Sequence, residues 1–187
     1  MKIQVYRLKI SLDDIEPEIW REVQVNGNIY LDDLHEIIQI VMGWENCHLF
    51  EFSKDGERFG IPDPDGWGEP VTKASSVKLN AVLGNKKEQM SYLYDFGDDW
   101  LHTIEVLEIM SEGAWPFCLS GKRACPPEDV GGAFGYADFL ETISNPDDPE
   151  YESMIEWVGE EFESEKYSFL SQGKLQNLNP RACLSGV

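Results

Sequence analysis

The sequence predicts an α+β fold: a mostly antiparallel sheet, one helix of the N-terminal half packed on it, and a C-terminal group of helices. Two observations predict it. Period-two alternation of apolar residues, the mark of half-buried strands, dominates roughly the first 110 residues. Three- and four-residue apolar spacing, the mark of amphipathic helices, dominates roughly the last 50. Strands and helices segregated in this way form antiparallel sheets, whereas regular alternation would give a doubly wound parallel sheet.

Tyr6, Leu8, Ile10 and Leu12 share one face, with Arg7, Lys9 and Ser11 between them. Asp13-Asp14 and Pro17 end this first strand. A second, Ile19 to Val25, places Ile19, Val23 and Val25 together, and Asn26-Gly27-Asn28 signals a turn. Leu31, Leu34, Ile37, Ile38, Val41 and Met42 then form one helical stripe. Asp32, Asp33 and Glu36 favour its N-terminal dipole, and Gly43 ends it. Cys47 to Ser53 reads as a third strand with His48, Phe50 and Phe52 on one side, and Arg58 to Ile61 as a short fourth.

Pro62 to Pro70, around Trp67, is a loop, and Ser76 to Leu83 reads as a short helix through Val77, Leu79 and Val82. Gln89 to Phe96 puts Tyr92, Tyr94 and Phe96 on one face. Trp100 to Ile109 is apolar on both faces, which places it centrally in the sheet. Gly97-Asp98-Asp99 joins these two strands tightly.

Residues 112–135 read as a loop because Pro116, Gly121, Pro126, Pro127, Gly131, Gly132 and Gly135 crowd into it. A helical stripe follows through Tyr136, Phe139, Leu140 and Ile143, stopped by Asn145-Pro146. Asp148 as N-cap and Pro149 at the first turn start another, with Tyr151, Ile155, Val158 and Phe162 on its stripe. A last helix is expected over Ser168 to Leu178, with Gly173 against it. The expected organisation is one domain, 1–187: a sheet-rich core at 1–111, the loop at 112–135, a helical part at 136–178 and a frayed tail at 179–187.

The composition limits the function. With 35 acidic and 15 basic side chains the formal net charge is -20. Such a field repels phosphate backbones and anionic bilayers. Lys86-Lys87 and Lys122-Arg123 are too small to form a nucleic-acid face, so no direct DNA binding and no membrane contact are expected. Basic proteins, metal ions and cationic ligands are the partners this charge attracts; solubility alone is the other reading. Four cysteines do not make a disulfide scaffold, and the N-terminal residues lack the apolar core of a signal peptide. The expected location is the cytoplasm, with reduced thiols.

Asp95, Asp98, Asp99 and His102 place four potential ligands or acid–base groups around one tight corner. Glu128 and Asp129, beside two prolines, could complete such a shell around a divalent metal. The plainer reading gives Asp98 and Asp99 to the turn, Asp95 to a hydrogen bond and His102 to the core. Cys118 and Cys125 lie farther apart than the cysteines of zinc knuckles; with His48 or His102 they form a weaker metal candidate, and two half-buried thiols are the alternative. Asp95-Phe96-Gly97 lacks every other kinase signature, and no Ser-His-Asp or Cys-His arrangement has a recognisable context. Trp67 and Trp115, in Pro/Gly-rich loops, are core residues or exposed partner anchors.

Several segments together carry a resemblance. They are Tyr6-Arg7-Leu8-Lys9-Ile10 with Pro17-Glu18-Ile19-Trp20-Arg21, and Leu34-His35-Glu36-Ile37-Ile38-Gln39 through Met42-Gly43-Trp44. Tyr94 to Trp100 with His102, and Cys118 to Gly132 followed by Gly135-Tyr136, complete the set. The chain resembles, to about Phe169, the plasmid pRiA ORF-three-like family, also described as an insertion-element passenger TnpR family. The resemblance implies an association with mobile elements and no established activity. A resolvase, which the TnpR label suggests, needs an Arg-rich serine site and a basic tail that the charge of -20 argues against. Val130 stands where family members often carry cysteine, which removes a third thiol from that loop.

Three functions fit the residues. The first is a non-enzymatic binding or adaptor domain for a protein or small ligand, seated at the sheet corner and the Cys-Pro-Pro-Glu-Asp loop. The second is a metal-dependent hydrolase or nuclease using the Asp/His cluster. The third is an acidic inhibitor that mimics nucleic acid.

Overall fold

The structure is a computed structural model and describes residues 4–66, 70–113, 116–159, 162–167 and 175. Eight strands, β1 (Val5–Leu12), β2 (Ile19–Asn26), β3 (Phe50–Lys54), β4 (Glu57–Gly60), β5 (Thr72–Lys73), β6 (Gln89–Tyr94), β7 (Trp100–Met110) and β8 (Phe117–Lys122), form one sheet in the order β5-β4-β3-β6-β7-β1-β2-β8. Every pairing is antiparallel except β4 with β5. The helices are α1 (Leu31–Met42), α2 (Leu79–Val82), α3 (Gly132–Ser144) and α4 (Tyr151–Val158). The fold is α+β, as the segregation of periods predicts.

The alternation along the strands separates two faces. Leu8, Ile10, Ile19, Val23, Phe52, Tyr92, His102, Ile104 and Val106 are buried on the inner one. The outer one carries ion pairs such as Arg7 with Glu22 and Lys9 with Glu18. Each large apolar side chain fully buried contributes about 1.5–3 kcal/mol, so the inner face drives the fold. α1 lies across that face. His35 of α1 meets the Tyr92 hydroxyl at 2.7 Å, and the Val41 carbonyl accepts from Arg21 Nε of β2 at 2.8 Å. At the start of α1, Asp33 accepts a hydrogen bond from the Tyr30 N–H at 2.9 Å.

Several boundaries differ from the sequence reading, each for a physical reason. Residues 112–135 are not all loop: β8 pairs with β2, Cys118 opposite Val23, and α3 begins at Gly132. The strand expected at Cys47 begins at Phe50, and Phe96 is exposed because the chain leaves β6 at Tyr94 and turns through Asp95, whose φ is 56°. The expected helix over Ser76 to Leu83 is a 3-10 turn at Ala74–Ser76 followed by α2. Asp148 accepts from the Glu150 N–H at 2.8 Å, a turn contact just before α4 rather than its cap. Trp67, Trp115, the tail 179–187 and, apart from Leu175, the helix expected over Ser168 to Leu178 lie outside the described residues.

Candidate functional site

Three segments meet beyond the ends of β3 and β6. The first is the loop from α1 to β3. Gly43, at φ 100°, ends α1 in the left-handed conformation that glycine adopts without a Cβ penalty. Trp44 is buried, stacks on Tyr94 at 4.9 Å and donates its indole N–H to the Pro126 carbonyl at 3.1 Å. The Asn46 N–H donates to Gln39 Oε1 at 3.0 Å, and the Cys47 N–H to the Tyr94 hydroxyl oxygen at 3.1 Å. His35 sits behind the loop, stacked on Phe50 at 3.6 Å, with its Nε2 2.7 Å from Asn46 Oδ1. Every residue from Trp44 to Cys47 is thus tied down before the chain reaches His48.

The second segment is the β6–β7 corner. The Asp95 N–H donates to the Leu49 carbonyl at 3.0 Å, carrying the strand pairing one residue past Phe50 and Tyr94. Asp95 Oδ1 accepts from the Gly97 N–H at 2.9 Å, so only Oδ2 faces inward. The third segment is Pro126 to Gly132. Its Gly131 N–H donates to Asp98 Oδ2 at 3.0 Å, and a Cβ on Gly132 would lie 2.5 Å from the Asp98 carbonyl oxygen. The hairpin and the proline-rich segment therefore converge.

At their junction His48 Nε2 lies 3.1 Å from Asp129 Oδ1, 3.7 Å from Asp95 Oδ2 and 4.0 Å from Glu128 Oε2. Glu128 is held from one side: its Oε1 accepts from the Glu45 N–H at 2.7 Å and the Tyr94 hydroxyl at 3.0 Å. Its Oε2 is buried without a hydrogen-bond partner, and so is His48 Nε2. Burial and the neighbouring Glu128 carboxylate raise the Tyr94 hydroxyl above its ordinary pKa, so it stays a protonated donor. Asp129 also edges an open groove of about 500 Å³ between α3 and α4, walled by Val130, Phe139, Met154 and Trp157.

The structure thus brings together Asp95, Glu128 and Asp129 of the main candidate set with His48, which the sequence offered only beside the cysteines. It does not bring in the others. Asp98 accepts the Gly131 bond, and Asp99 is exposed in the turn at φ 55°. His102 is fully buried in the core, its Nδ1 2.9 Å from the Trp100 carbonyl, and burial lowers its pKa to about 4. Cys118 Sγ meets the Tyr167 hydroxyl at 2.7 Å, and burial pushes the Cys125 thiol up to about 12. Among the described residues, His48, Asp95 and Asp129 are the one group of His, Cys, Asp and Glu close enough to share an ion. The weaker candidate set of Cys118 and Cys125 with His48 or His102 is therefore not assembled.

Sequence reasoning passed over Tyr94, Glu45 and the His35–Gln39–Asn46 support. The available signal was polar: His35 and Gln39 interrupt the apolar stripe of α1 on its buried side. A family model described as plasmid pRiA4b ORF-3-like protein matches residues 4–170. The chain belongs to the plasmid pRiA4b ORF-3-like family. One relative, the uncharacterized protein y4hQ of Sinorhizobium fredii, is 41% identical over 164 residues, covering 85% of this chain and 83% of that protein. The crystal structure of a protein of unknown function, MM3350 from Methanosarcina mazei Go1, is 36% identical with a TM-score of 0.80, covering 92% of this chain and 98% of that one. The family match thus extends over nearly the whole chain and includes all three segments of the corner.

Proposed function

We propose that this member of the pRiA4b ORF-3-like family is a non-catalytic binding domain that seats a positive charge in the corner of His48, Asp95, Glu128 and Asp129. One observation carries the reading. Glu128 Oε2 is buried without a hydrogen-bond partner, 4.0 Å from His48 Nε2, which itself stands in one group with the Asp95 and Asp129 carboxylates. A buried polar atom left unsatisfied costs about 1–3 kcal/mol, which a bound cation or donor would recover.

Charge and thiol chemistry support the same reading. The net charge of -20 draws cations and basic partners and repels nucleic acid. Burial raises the Cys118 and Cys125 thiols, and desolvation with the Glu128, Glu45 and Asp129 carboxylates raises Cys47, so all three are thiols rather than thiolate nucleophiles at neutral pH. Among the described residues no helix is long and apolar enough to cross a membrane. The reading places the protein in the cytoplasm, where those thiols stay reduced, and the plasmid in the family's description supports a mobile-element setting.

The test is a thermal-shift panel on the full chain at fixed ionic strength: divalent chlorides, spermidine and a Lys/Arg-rich peptide. At least one member should raise Tm through linkage, and Asp129→Asn should abolish the rise. A panel without effect, or a rise untouched by Asp129→Asn, would remove the corner as a binding site. Metal-dependent turnover of a model phosphodiester by the native protein would instead favour the hydrolase reading, which the same donor set and the adjoining groove support.

A further inference from the structure

We propose that the charge seated in this corner is a divalent first-row transition ion, Zn²⁺ foremost, bound by His48 Nε2, Asp95 Oδ2 and Asp129 Oδ1, with the Glu128 carboxylate beside them. The inference rests on the corner being a cation seat and narrows the cation to a class.

Each fixed carboxylate has one oxygen already committed. Asp95 Oδ1 is held by the Gly97 N–H, and Glu128 Oε1 by the Glu45 N–H and the Tyr94 hydroxyl. Each therefore offers a single inward oxygen. Hydrogen bonds of this kind orient metal ligands and fix them as monodentate. The nitrogen donor, His48 Nε2, is buried and makes no hydrogen bond to protein.

The spacing fits one small ion. Ligands about 2.0–2.2 Å from a tetrahedral Zn²⁺ stand roughly 3.4 Å from one another. His48 Nε2 is 3.1, 3.7 and 4.0 Å from the three carboxylate oxygens, and the His48, Asp95 and Asp129 atoms all lie within 4.8 Å of each other. Rotation of Asp129, whose side chain is 74% exposed, adjusts its distance to Asp95. Asp129 also borders the groove, so the ion has a path in.

The donor chemistry selects the ion. Mg²⁺ and Ca²⁺ favour shells built of oxygen alone, six to eight ligands for Ca²⁺ and an octahedron rich in water for Mg²⁺. One imidazole with carboxylates suits Zn²⁺, with Mn²⁺ second. The Asp95 and Asp129 carboxylates, drawn together at His48, repel one another without a cation, and a divalent ion cancels that charge.

The experiment strips the full-length protein with chelator, then titrates Zn²⁺, Mn²⁺, Mg²⁺ and Ca²⁺ by calorimetry, with Tm read in parallel. Near-stoichiometric Zn²⁺ binding is expected, weakened at least about tenfold by His48→Gln and by Asp129→Asn. Mg²⁺ and Ca²⁺ should bind far more weakly. Asp129→Asn alters an exposed side chain, so it carries the test even if His48→Gln fails to fold. Zn²⁺ binding that both variants retain would place the ion elsewhere and overturn the proposal. Equal affinity for Ca²⁺ would overturn the imidazole's part in it. If Zn²⁺ fails while spermidine or the basic peptide binds and Asp129→Asn abolishes that binding, the metal is wrong and the cation seat stands. If nothing binds, both fall.

Discussion

The Gly131 N–H donates to Asp98 Oδ2 at 3.0 Å, and through that bond the β6–β7 corner holds the Cys-Pro-Pro-Glu-Asp segment against the sheet. Beside it Gly132 sits at φ 69° so close to the Asp98 carbonyl that a Cβ would lie 2.5 Å from the oxygen. Both the left-handed conformation and the missing side chain are required there. Asp98→Ala should cost about 1–2 kcal/mol, the worth of a hydrogen bond to a charged acceptor. Gly132→Ala adds backbone strain to a clash with main chain and should cost about 3 kcal/mol. Urea denaturation of the two variants checks both the sign and the order. If Gly132→Ala is the milder change, the segment is not clamped at this point.

Glu128 separates support from binding. Glu128→Ala removes the acceptor of both the Glu45 N–H and the Tyr94 hydroxyl, leaving two donors unpaired. The expected cost is about 2–4 kcal/mol. Glu128→Gln keeps an amide oxygen for those donors and should stay within about 1 kcal/mol of the native protein, yet it replaces the inward carboxylate oxygen with a neutral group. A cation-dependent rise in Tm should therefore vanish in Glu128→Gln while the unliganded Tm barely moves. A Gln variant that keeps the full rise would show that Glu128 only scaffolds the corner.

What was legible in the sequence was whatever depends on period. The β1 alternation through Tyr6, Leu8, Ile10 and Leu12, the α1 stripe and the central place of β7 were all readable, because burial imposes a spacing on local residues. What pairing supplies was not. Six residues of β8, with Gly121 among them, carry little strand signal; β2 provides their hydrogen bonds. At the site, Asp95, Glu128 and Asp129 could be singled out because acids cluster beside turn residues. His48 could not be joined to them, since its link to Asp95 depends on β3 and β6 pairing and its link to Asp129 on the clamp at Asp98.

Arg21 shows another limit of the alternating pattern, and it yields a prediction. It shares the buried face of β2 with Ile19 and Val23 and is 2% exposed. Its guanidinium donates to the carbonyls of Val41, Trp20 and Lys122 and lies 4.7 Å from the Tyr167 ring. It thereby fastens the end of α1 to the β2–β8 edge. Lysine has one donor group on a flexible stem and cannot span three carbonyls in different directions. Arg21→Lys should lose about 2–3 kcal/mol, more than an exposed substitution such as Lys86→Arg, which should be near neutral. Equal stabilities for the two variants would contradict the fastening role.

The two core histidines make stability depend on pH, and the direction follows from their partners. His35 accepts from the Tyr92 hydroxyl at Nδ1 and donates from Nε2 to Asn46 Oδ1; Tyr92 also accepts from Gln39 Nε2 at 3.1 Å. A second ring proton at Nδ1 would remove the acceptor that the Tyr92 hydroxyl uses. His102 donates from Nδ1 to the Trp100 carbonyl, and its buried Nε2 has no hydrogen-bond partner. Burial lowers both pKa values from 6.5 to about 4. The unfolded chain therefore binds protons that the folded one refuses. Their contribution is complete above pH 6.5 and falls as pH drops from 6.5 toward 4, by roughly 1 kcal/mol per pH unit for each histidine. Urea melts at pH 7.5, 6.5 and 5.5 should show little change across the first interval and a clear loss across the second. His102→Leu removes one titrating group without adding a buried charge, so its loss between pH 6.5 and 5.5 should be about half that of the native protein. A native stability that stays level down to pH 5.5 would mean that both rings accept a second proton inside the fold.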